Sequence, residues 1–164
     1  MNLVGAGHAR ESFQSLAWPA PTFLRRNGMT KHAHVFSLPI RVYFQDTDAG
    51  GVVYHASYLN FMERTRTEWL RSYGYSNAGL MKEFGMVFVV RSVKLDYLKP
   101  ALLDDLLDVT AQIKDVGRSR ISLLQTVRRG AEVLTEAEIH LVCVSLENFR
   151  PVGVPEVLLE QWKN

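Results

Sequence analysis

The second half of the chain alternates between apolar and polar residues, with short turns between the alternating segments. The clearest example is Leu107–Ile113, in which every second residue is apolar. Similar alternation is found at residues 93–97, 121–127 and about 133–146. Pro100 ends the first segment, and turns are expected at Gly117 and Gly130. Because turns this short join strands that run in opposite directions, the pattern predicts one antiparallel sheet.

Earlier in the chain, a period of about 3.6 residues replaces the alternation. Leu38–Phe44 alternates enough to be a strand, and Asp46–Gly51 has the composition of a turn. A helix is expected from near Ser57, which is a candidate cap, to about Tyr73. The residues that share its apolar face are Tyr58, Met62, Thr65, Trp69 and Tyr73, and Leu59, Phe61 and Leu70 widen that face. We therefore expect a long helix with most of its surface covered.

These elements define a fold class. A connection through Gly79 and Gly85 separates the long helix from the sheet, and a short helix is expected near 156–162. The order is strand, one long helix, four strands and a short helix, which is an α+β arrangement. A single sheet against one helix keeps two unpaired edges, so we expect an oligomer formed by edge pairing.

Composition narrows the class of protein. A chain of 164 residues is long enough for one domain with a substantial core. The formal net charge of +2 gives no support for a protein that binds nucleic acids or membrane surfaces. Cys143 is the single cysteine, so no disulfide forms within the chain and a reducing compartment is favoured. It lies in an apolar run, where we expect a core residue rather than a nucleophile.

Residues 1–36 differ from the rest of the chain. They include Pro19 and Pro21, show no sustained periodicity and lack the compact apolar core of a secretory signal. Their basic residues make an organelle-targeting peptide a weaker alternative. We expect a poorly ordered arm, or an extension upstream of a start near Met29, followed by one domain over 37–164.

The largest group of candidate catalytic residues lies in Arg41–Tyr58, which reads RVYFQDTDAGGVVYHASY. Asp46 and Asp48 are followed by a Gly pair and then by His55, immediately before the helix. This order can place Asp48 beside free backbone N–H groups, an arrangement that suits attack on a carbonyl carbon. From the residues alone, a turn in which Asp48 accepts hydrogen bonds from backbone amides is an equally good interpretation.

A family resemblance favours the first interpretation. DTDAGGVVYHASY at 46–58, with FMERTRTEWL in the helix after it, closely resembles the YbgC-type acyl-CoA thioesterases of the Tol-Pal gene cluster. Further matches are FVVRS at 88–92, YLKPALLDDLL at 97–107 and AEIHLVCV at 137–144. The family belongs with the 4-hydroxybenzoyl-CoA thioesterases, so the resemblance implies a hotdog fold, a long helix wrapped by an antiparallel sheet, from about Leu38 onward. It also implies dimers with a continuous sheet, tetramers built as dimers of dimers, and an active site at the subunit interface.

The resemblance also assigns roles within the motif. Asp48 matches the catalytic aspartate, either as general base for water or as the nucleophile that forms a mixed anhydride. His55 matches the position whose backbone N–H polarises the thioester carbonyl, aided by the helix dipole, and its side chain is a candidate for orienting water or substrate. Gly50 and Gly51 allow close approach of the backbone to a ligand. We expect Asp46 to hold the loop through backbone N–H groups.

Four other residues are substrate-binding candidates. Tyr54 and Tyr58 are expected to line the acyl pocket or the core beside it. Arg118 and Arg120, after the Gly117 turn, match a region where relatives hold the phosphates of coenzyme A, and a solvated turn is an equally good interpretation.

The remaining expectations concern cofactors, partners and competing functions. We expect no metal, because neither the pair His32 and His34 nor the isolated His140 has suitable partners nearby in sequence, and no cofactor beyond the coenzyme A of the substrate. The expected location is cytoplasmic, with peripheral attachment to the inner membrane left open, and acyl carrier protein is an alternative partner. Two other functions stay open, a hotdog hydratase or dehydratase and a binding subunit for acyl thioesters with little turnover.

Overall fold

The computed structural model describes residues 35–163 and consists of an antiparallel sheet with helices packed on it. The strands are β1 (Phe36–Arg41), β2 (Met86–Tyr97), β3 (Leu106–Val116), β4 (Arg120–Arg129) and β5 (Glu132–Ser145). The helices are α1 (Ser57–Ser72), α2 (Asn77–Phe84) and α3 (Glu156–Lys163). The expected α+β class is therefore confirmed. The N-terminal arm, apart from its last two residues, lies outside the described residues.

The strand order fixes which loops lie near each other. The five strands lie in the order β1-β3-β4-β5-β2, and each neighbouring pair is antiparallel. Arg41 at the end of β1 is paired with Leu106 at the start of β3. The loop after β1, the end of β2 and the end of β4 therefore share one end of the sheet, which we call the Asp48 end. The β3–β4 turn at Gly117 lies at the opposite end, which we call the Gly117 end.

The core lies between α1 and one face of the sheet. Phe61 and Met62 of α1 are fully buried, as are the sheet residues Val109, Leu123 and Ile139, whose alternation the sequence displays. Burial of an aliphatic or aromatic side chain contributes about 1.5–3 kcal/mol, so this layer accounts for much of the stability. The α3 helix closes the layer, because the ring of Trp162 stacks on that of Trp69 at 5.3 Å.

The α2 helix was not expected from the sequence. The sequence favours a connecting segment at Gly79, but this residue lies in the first turn of α2, where its N–H donates to the hydroxyl of Ser76 at 3.0 Å. That bond caps the helix. Leu80 is buried and anchors α2 on the core, and Gly85 ends the helix with a positive φ of 59°. A side-chain cap and one anchor residue outweigh the weak helix propensity of a glycine.

The bounds of two strands also differ from expectation. β1 ends at Arg41 rather than Phe44, because a turn of 3-10 helix over Phe44–Asp46 takes the chain out of the sheet. β2 begins at Met86, well before the alternating stretch at 93–97. A register shift between Val90 and Ser92 changes the phase of the side chains, which hides the first half of the strand from a search for period two.

Two smaller points concern the helix start and the cysteine. Ser57 is not the cap of α1 but its first residue, and its hydroxyl donates to the carbonyl of Asp46 at 3.1 Å. Cys143 is buried, which raises the pKa of its thiol to about 11, so it is a core residue as expected. No helix within residues 35–163 is long and apolar enough to cross a membrane.

Candidate active site

Asp46 organises the loop that follows β1. Its buried carboxylate accepts a hydrogen bond from the N–H of Tyr43 at 2.9 Å. Its carbonyl accepts two more, from the N–H of Tyr54 at 2.8 Å and from the hydroxyl of Ser57 at 3.1 Å. Asp46 thus ties the end of β1 to the start of α1, which confirms the expectation that it holds the loop.

Asp48 lies at the tip of a tight hairpin formed by the next residues. Its N–H donates to the carbonyl of Val52 and its carbonyl accepts from the N–H of Gly51, both at 3.0 Å. The Asp48 side chain is exposed, whereas that of Asp46 is buried. In a strand, residues two positions apart share a face, but the turn between Asp46 and Asp48 ends the strand geometry. One carboxylate oxygen, Oδ1, accepts from the N–H of Gly50 at 2.8 Å. The other, Oδ2, accepts no hydrogen bond from residues 35–163, so it is available to a substrate or to water.

The two glycines are required by this geometry. A Cβ on Gly50 would lie 2.9 Å from Asp48 Oδ1, closer than real Cβ contacts allow. Gly51 has a positive φ of 74°, a conformation that other L-residues adopt only with strain. The Gly pair therefore allows the backbone to hold the Asp48 carboxylate at close range.

His55 lies between the hairpin and α1, and its side chain is exposed. The carbonyl of Tyr54, in the peptide group that also carries the His55 N–H, accepts from the N–H of Ser57 at 2.8 Å. Neither His55 N–H nor Ala56 N–H donates a hydrogen bond to any atom of residues 35–163. A helix start with fixed peptide groups and free N–H donors is a binding site for negative charge.

The loop 98–105 is attached to both parts of this region. The carbonyl of Ala101 accepts from the N–H of Val53 at 2.9 Å, and the N–H of Ala101 donates to the hydroxyl of Tyr58 at 2.8 Å. Tyr97 at the end of β2 donates from its hydroxyl to the carbonyl of His55 at 2.8 Å. The motif YLKPA at 97–101 thus fixes the position of the hairpin and of the first turn of α1.

Ion pairs hold the other side of that loop. Arg129 at the end of β4 contacts Asp105 and Glu132, each at 2.7 Å, and Lys99 contacts Glu132 as well. Hydrogen bonds from Lys99 and Arg129 lower the pKa of the Glu132 carboxyl below its usual value. Asp105 also accepts from the N–H of Leu102 at 2.8 Å. The charges therefore link the end of the sheet to the loop that supports the hairpin.

The structure brings most of the expected site residues together, but not all of them. Asp48, Gly50, Gly51, Tyr54 and His55 are adjacent at the Asp48 end, where the Tyr54 ring lies 4.3 Å from that of His55. Tyr58 lies in the core, 2% exposed, where burial raises the pKa of its hydroxyl. Of the two positions that the sequence left open for Tyr58, the structure shows the core one; its contact with substrate stays a prediction.

Arg118 and Arg120 lie at the Gly117 end. β4 runs from Arg120 to Arg129, nine steps of about 3.3 Å, so roughly 30 Å of sheet separates them from the Asp48 end of the same chain. Both are exposed, and the Arg120 side chain covers Gly117. They do not reach Asp48 of their own chain.

The described cavities are also distant from the Asp48 carboxylate. One of about 410 Å³ lies at the Gly117 end, lined by residues that include Phe84, Met86 and Val152. Another of about 140 Å³ lies between α1 and the sheet and is bordered by Arg66, which donates to Gln125 at 2.8 Å. Neither is lined by Asp48. The carboxylate of a single chain is therefore open to solvent.

Metal ligands are not grouped in the part of the chain that the structure describes, where no three His, Cys, Asp or Glu side chains come close enough to hold an ion. His140 is hydrogen-bonded to Ser122 on the open face of the sheet at 2.9 Å. The His32 and His34 pair lies outside the described residues.

The arrangement can perform one kind of chemistry well. A carboxylate with one fixed oxygen is followed, in the same loop, by two N–H groups that donate to no atom of residues 35–163. Such a combination suits attack on a carbonyl whose oxygen becomes negative. The sequence assigned no role to Tyr97 or Ala101, and it made Ser57 a candidate cap, whereas the Ser57 hydroxyl donates to the carbonyl of Asp46. The only available signal was the YLKPA motif, which was noted as a match without a role.

Comparisons with known proteins show the family to which this chain is similar. The family model described as "Thioesterase-like superfamily" matches residues 42–162. A curated relative from Haemophilus influenzae named "Acyl-CoA thioesterase YbgC" is 44% identical over 121 residues, which cover 74% of this chain and 89% of that protein. The "Acyl-CoA thioester hydrolase YbgC" of Escherichia coli O157:H7 is 42% identical over 130 residues, 79% of this chain and 96% of that protein.

A solved structure supports the fold. The probable thioesterase from Bartonella henselae superimposes with a TM-score of 0.72 at 34% identity and covers 74% of this chain and 100% of that one. The aligned regions therefore include nearly the whole of each of these relatives.

Proposed function

This chain belongs to the thioesterase-like superfamily, in the YbgC group of hotdog acyl-CoA thioesterases, and from that membership we propose how it hydrolyses the thioester of an acyl-CoA. The products are the free acid and coenzyme A. The observation that carries the proposal is the Asp48 carboxylate, held at Oδ1 by the Gly50 N–H and free at Oδ2. The same proposal includes a cytoplasmic location and no cofactor other than the coenzyme A of the substrate.

Asp48 supplies the attack on the carbonyl carbon. Either Oδ2 accepts a proton from a water molecule that attacks the thioester, or Oδ2 attacks directly and water then hydrolyses the mixed anhydride. In both routes the Gly50 N–H keeps the carboxylate oriented. Both routes release the thiol of coenzyme A and consume one water molecule.

The His55 N–H stabilises the oxyanion that forms on the carbonyl oxygen. It is free of other bonds within the described residues and lies before the first turn of α1, where the helix dipole favours negative charge. The His55 ring adjoins the Tyr54 ring, so these two side chains are suited to flank the acyl group.

A second copy of the chain completes the site. The carboxylate of one chain is open to solvent, and Arg118 and Arg120 lie at the far end of the same sheet. We propose that edge pairing of two chains encloses the acyl group, that the arginines of another copy bind the phosphates of coenzyme A, and that pairs assemble into tetramers. An association with the Tol-Pal system, attachment to the inner membrane and delivery of the acyl group by acyl carrier protein are extensions of this proposal.

The hydratase alternative receives less support. That chemistry needs a histidine with an acidic partner near the α and β carbons of the acyl group. The ring nitrogens of His55 contact no carboxylate among residues 35–163, whereas the Asp48 carboxylate is presented to solvent.

The test is identification of the products from a panel of short, long and aromatic acyl-CoA esters. We expect stoichiometric free thiol and free acid, with one oxygen atom from labelled water in the acid. Hydrated or dehydrated acyl-CoA, or bound but unchanged acyl-CoA, would contradict the proposal. Asp115→Asn, an exposed substitution on β3 near the Gly117 end, serves as the control and should retain wild-type rates.

A further inference from the structure

We propose that Tyr97 is a positioning residue for the carbonyl-polarising turn, and that it makes the Ala56 N–H a second donor to the substrate oxygen beside that of His55. The inference rests on the proposed thioester hydrolysis and extends it to a residue on another strand. It follows from how two consecutive peptide groups are bonded.

The Tyr97 side chain is held in place at the Asp48 end. Its hydroxyl donates to the carbonyl of His55 at 2.8 Å. Its ring meets the ring of Tyr58 edge-on at 5.6 Å and that of His55 at 6.5 Å. Partial burial raises the pKa of the Tyr97 hydroxyl above its usual value of 10.0, so at neutral pH it is protonated and donates.

The His55 carbonyl is available because His55 lies two residues before α1, which begins at Ser57. The first carbonyl that pairs within a helix is that of the capping residue, here Ala56. Accordingly, the Leu59 N–H donates to the carbonyl of Ala56 at 3.1 Å. Tyr97 thus supplies from a distant strand a hydrogen bond to a carbonyl that the helix does not pair.

This bond acts on the N–H of the next residue. The carbonyl of His55 and the N–H of Ala56 belong to one peptide group, whose resonance couples the two. A donor to the carbonyl oxygen withdraws electron density from the nitrogen, which makes the N–H a stronger donor, as in chains of hydrogen bonds. The preceding peptide group is bonded in the same way, because the Tyr54 carbonyl accepts from the Ser57 N–H at 2.8 Å.

Two consecutive peptide groups therefore have occupied carbonyls and N–H groups that donate to no atom of residues 35–163. Two donors directed at one oxygen stabilise an oxyanion better than one. Ser57 polarises the first group from within the helix, and Tyr97 polarises the second from the end of β2. The Tyr97 bond also keeps the plane of the second peptide group fixed.

The first test is kinetic. Tyr97→Phe removes the hydroxyl and keeps the ring, and we expect kcat for acyl-CoA hydrolysis to fall about tenfold while KM stays unchanged. This loss is smaller than that from removal of an oxyanion donor, because the Ala56 N–H remains. Tyr73→Phe, at the end of α1 far from the hairpin, is the matched control and should retain wild-type kcat. Unchanged kcat in Tyr97→Phe would overturn the inference.

The second test reads carbonyl polarisation directly. An acyl-CoA labelled with ¹³C at the thioester carbonyl is bound to Asp48→Asn, and its C=O stretching frequency is measured by infrared difference spectroscopy. We expect a shift to lower frequency on binding, and a smaller shift when Tyr97→Phe is added. An equal shift in both proteins, with a lower Tm for the Tyr97 variant, would assign Tyr97 a structural role only and overturn the inference. The measurement needs binding of the substrate rather than turnover. Its result is therefore distinguishable from a failure of the proposed hydrolysis.

Discussion

The two ends of the sheet have complementary properties. At the Asp48 end, backbone hydrogen bonds and ion pairs hold an exposed carboxylate and two N–H groups that donate to no atom of residues 35–163. The carboxylate lines neither described cavity. At the Gly117 end, a cavity of about 410 Å³ and two exposed arginines are present without a carboxylate arranged in this way. The candidate reacting groups therefore lie in hydrogen-bonded loops and not at the larger described cavity.

This difference also has a consequence for assembly. The candidate reacting groups and the candidate phosphate-binding groups are separated by the length of the sheet in one chain. A substrate with its reactive carbonyl at one end and its phosphates at the other is bound as one molecule only if different copies contribute the two ends. Substitutions that alter one end at a time therefore separate the two contributions.

Among substitutions that disturb the hydrogen bonds of the loops, we expect the largest fall in kcat at Gly50. Gly50→Val places a Cβ 2.9 Å from Asp48 Oδ1 and displaces the carboxylate, so we expect kcat to fall about 100-fold, as when a reacting group is moved by about 1 Å. Thiol release at saturating acyl-CoA measures it. The control is Gly153→Ala, where the nearest atom to the new Cβ is 3.9 Å away and kcat should not change. A Gly50→Val enzyme with normal kcat would mean that the hairpin does not orient the base.

At the Gly117 end, the expected effect is on binding. Joint replacement of Arg118 and Arg120 by alanine should raise KM about tenfold at constant kcat, because both side chains are exposed and each exposed charge pair with a phosphate contributes up to about 1 kcal/mol. With a thioester of dephospho-coenzyme A, which lacks one phosphate, the ratio of the variant KM to the wild-type KM should be smaller than with the coenzyme A thioester. An unchanged KM for both substrates would show that this turn is a solvated surface. Arg150→Ala, an exposed arginine after β5, is the control.

The smallest effect concerns the ion pairs of Glu132. Their hydrogen bonds lower the folded pKa of Glu132 below the ordinary value of 4.5, so they stabilise the fold at pH values above 4.5. This stabilisation is lost as the pH falls through the lower, folded pKa. We expect Glu132→Gln to lower the free energy of unfolding by less than about 1 kcal/mol at pH 7, since the pairs are partly exposed.

Urea denaturation at pH 7 and in acid measures this difference. The gap between wild type and Glu132→Gln should close in acid, whereas an exposed control, Glu83→Gln, should show little difference at either pH. A gap that widens in acid would contradict the assignment of a lowered pKa.

The elements with unbroken periodicity were predictable from the sequence. β3 and α1 were both found, because half-buried strands and helices show their buried side at every second or every third to fourth residue. α2 was missed because its stability comes from the Ser76 cap and from Leu80, which no period reveals. The first half of β2 was missed because the register shift after Val90 interrupts the alternation.

The sequence names the residues of the candidate site, but it does not give their arrangement. The motif contains Asp48, Gly50 and His55, and its composition indicates a turn. The difference between a buried Asp46 and an exposed Asp48 depends on the hydrogen bonds within that turn, which composition does not specify. The separation of Arg118 from Asp48 depends on the pairing of β1 with β3, a long-range contact. The bond from Tyr97 to His55 joins residues 42 positions apart, which no local pattern contains.

The central claim is that the Asp48 carboxylate performs the hydrolysis, and Asp48→Asn tests it most directly. Asparagine can still accept from the Gly50 N–H, so the hairpin should keep its shape while the charge is lost. At saturating acyl-CoA, with coenzyme A binding measured in parallel, we expect kcat to fall by at least about 1,000-fold, a loss on the scale of general-base and nucleophile removal, and binding to persist. A kcat within tenfold of the wild-type value would contradict the claim and place the chemistry elsewhere in the molecule.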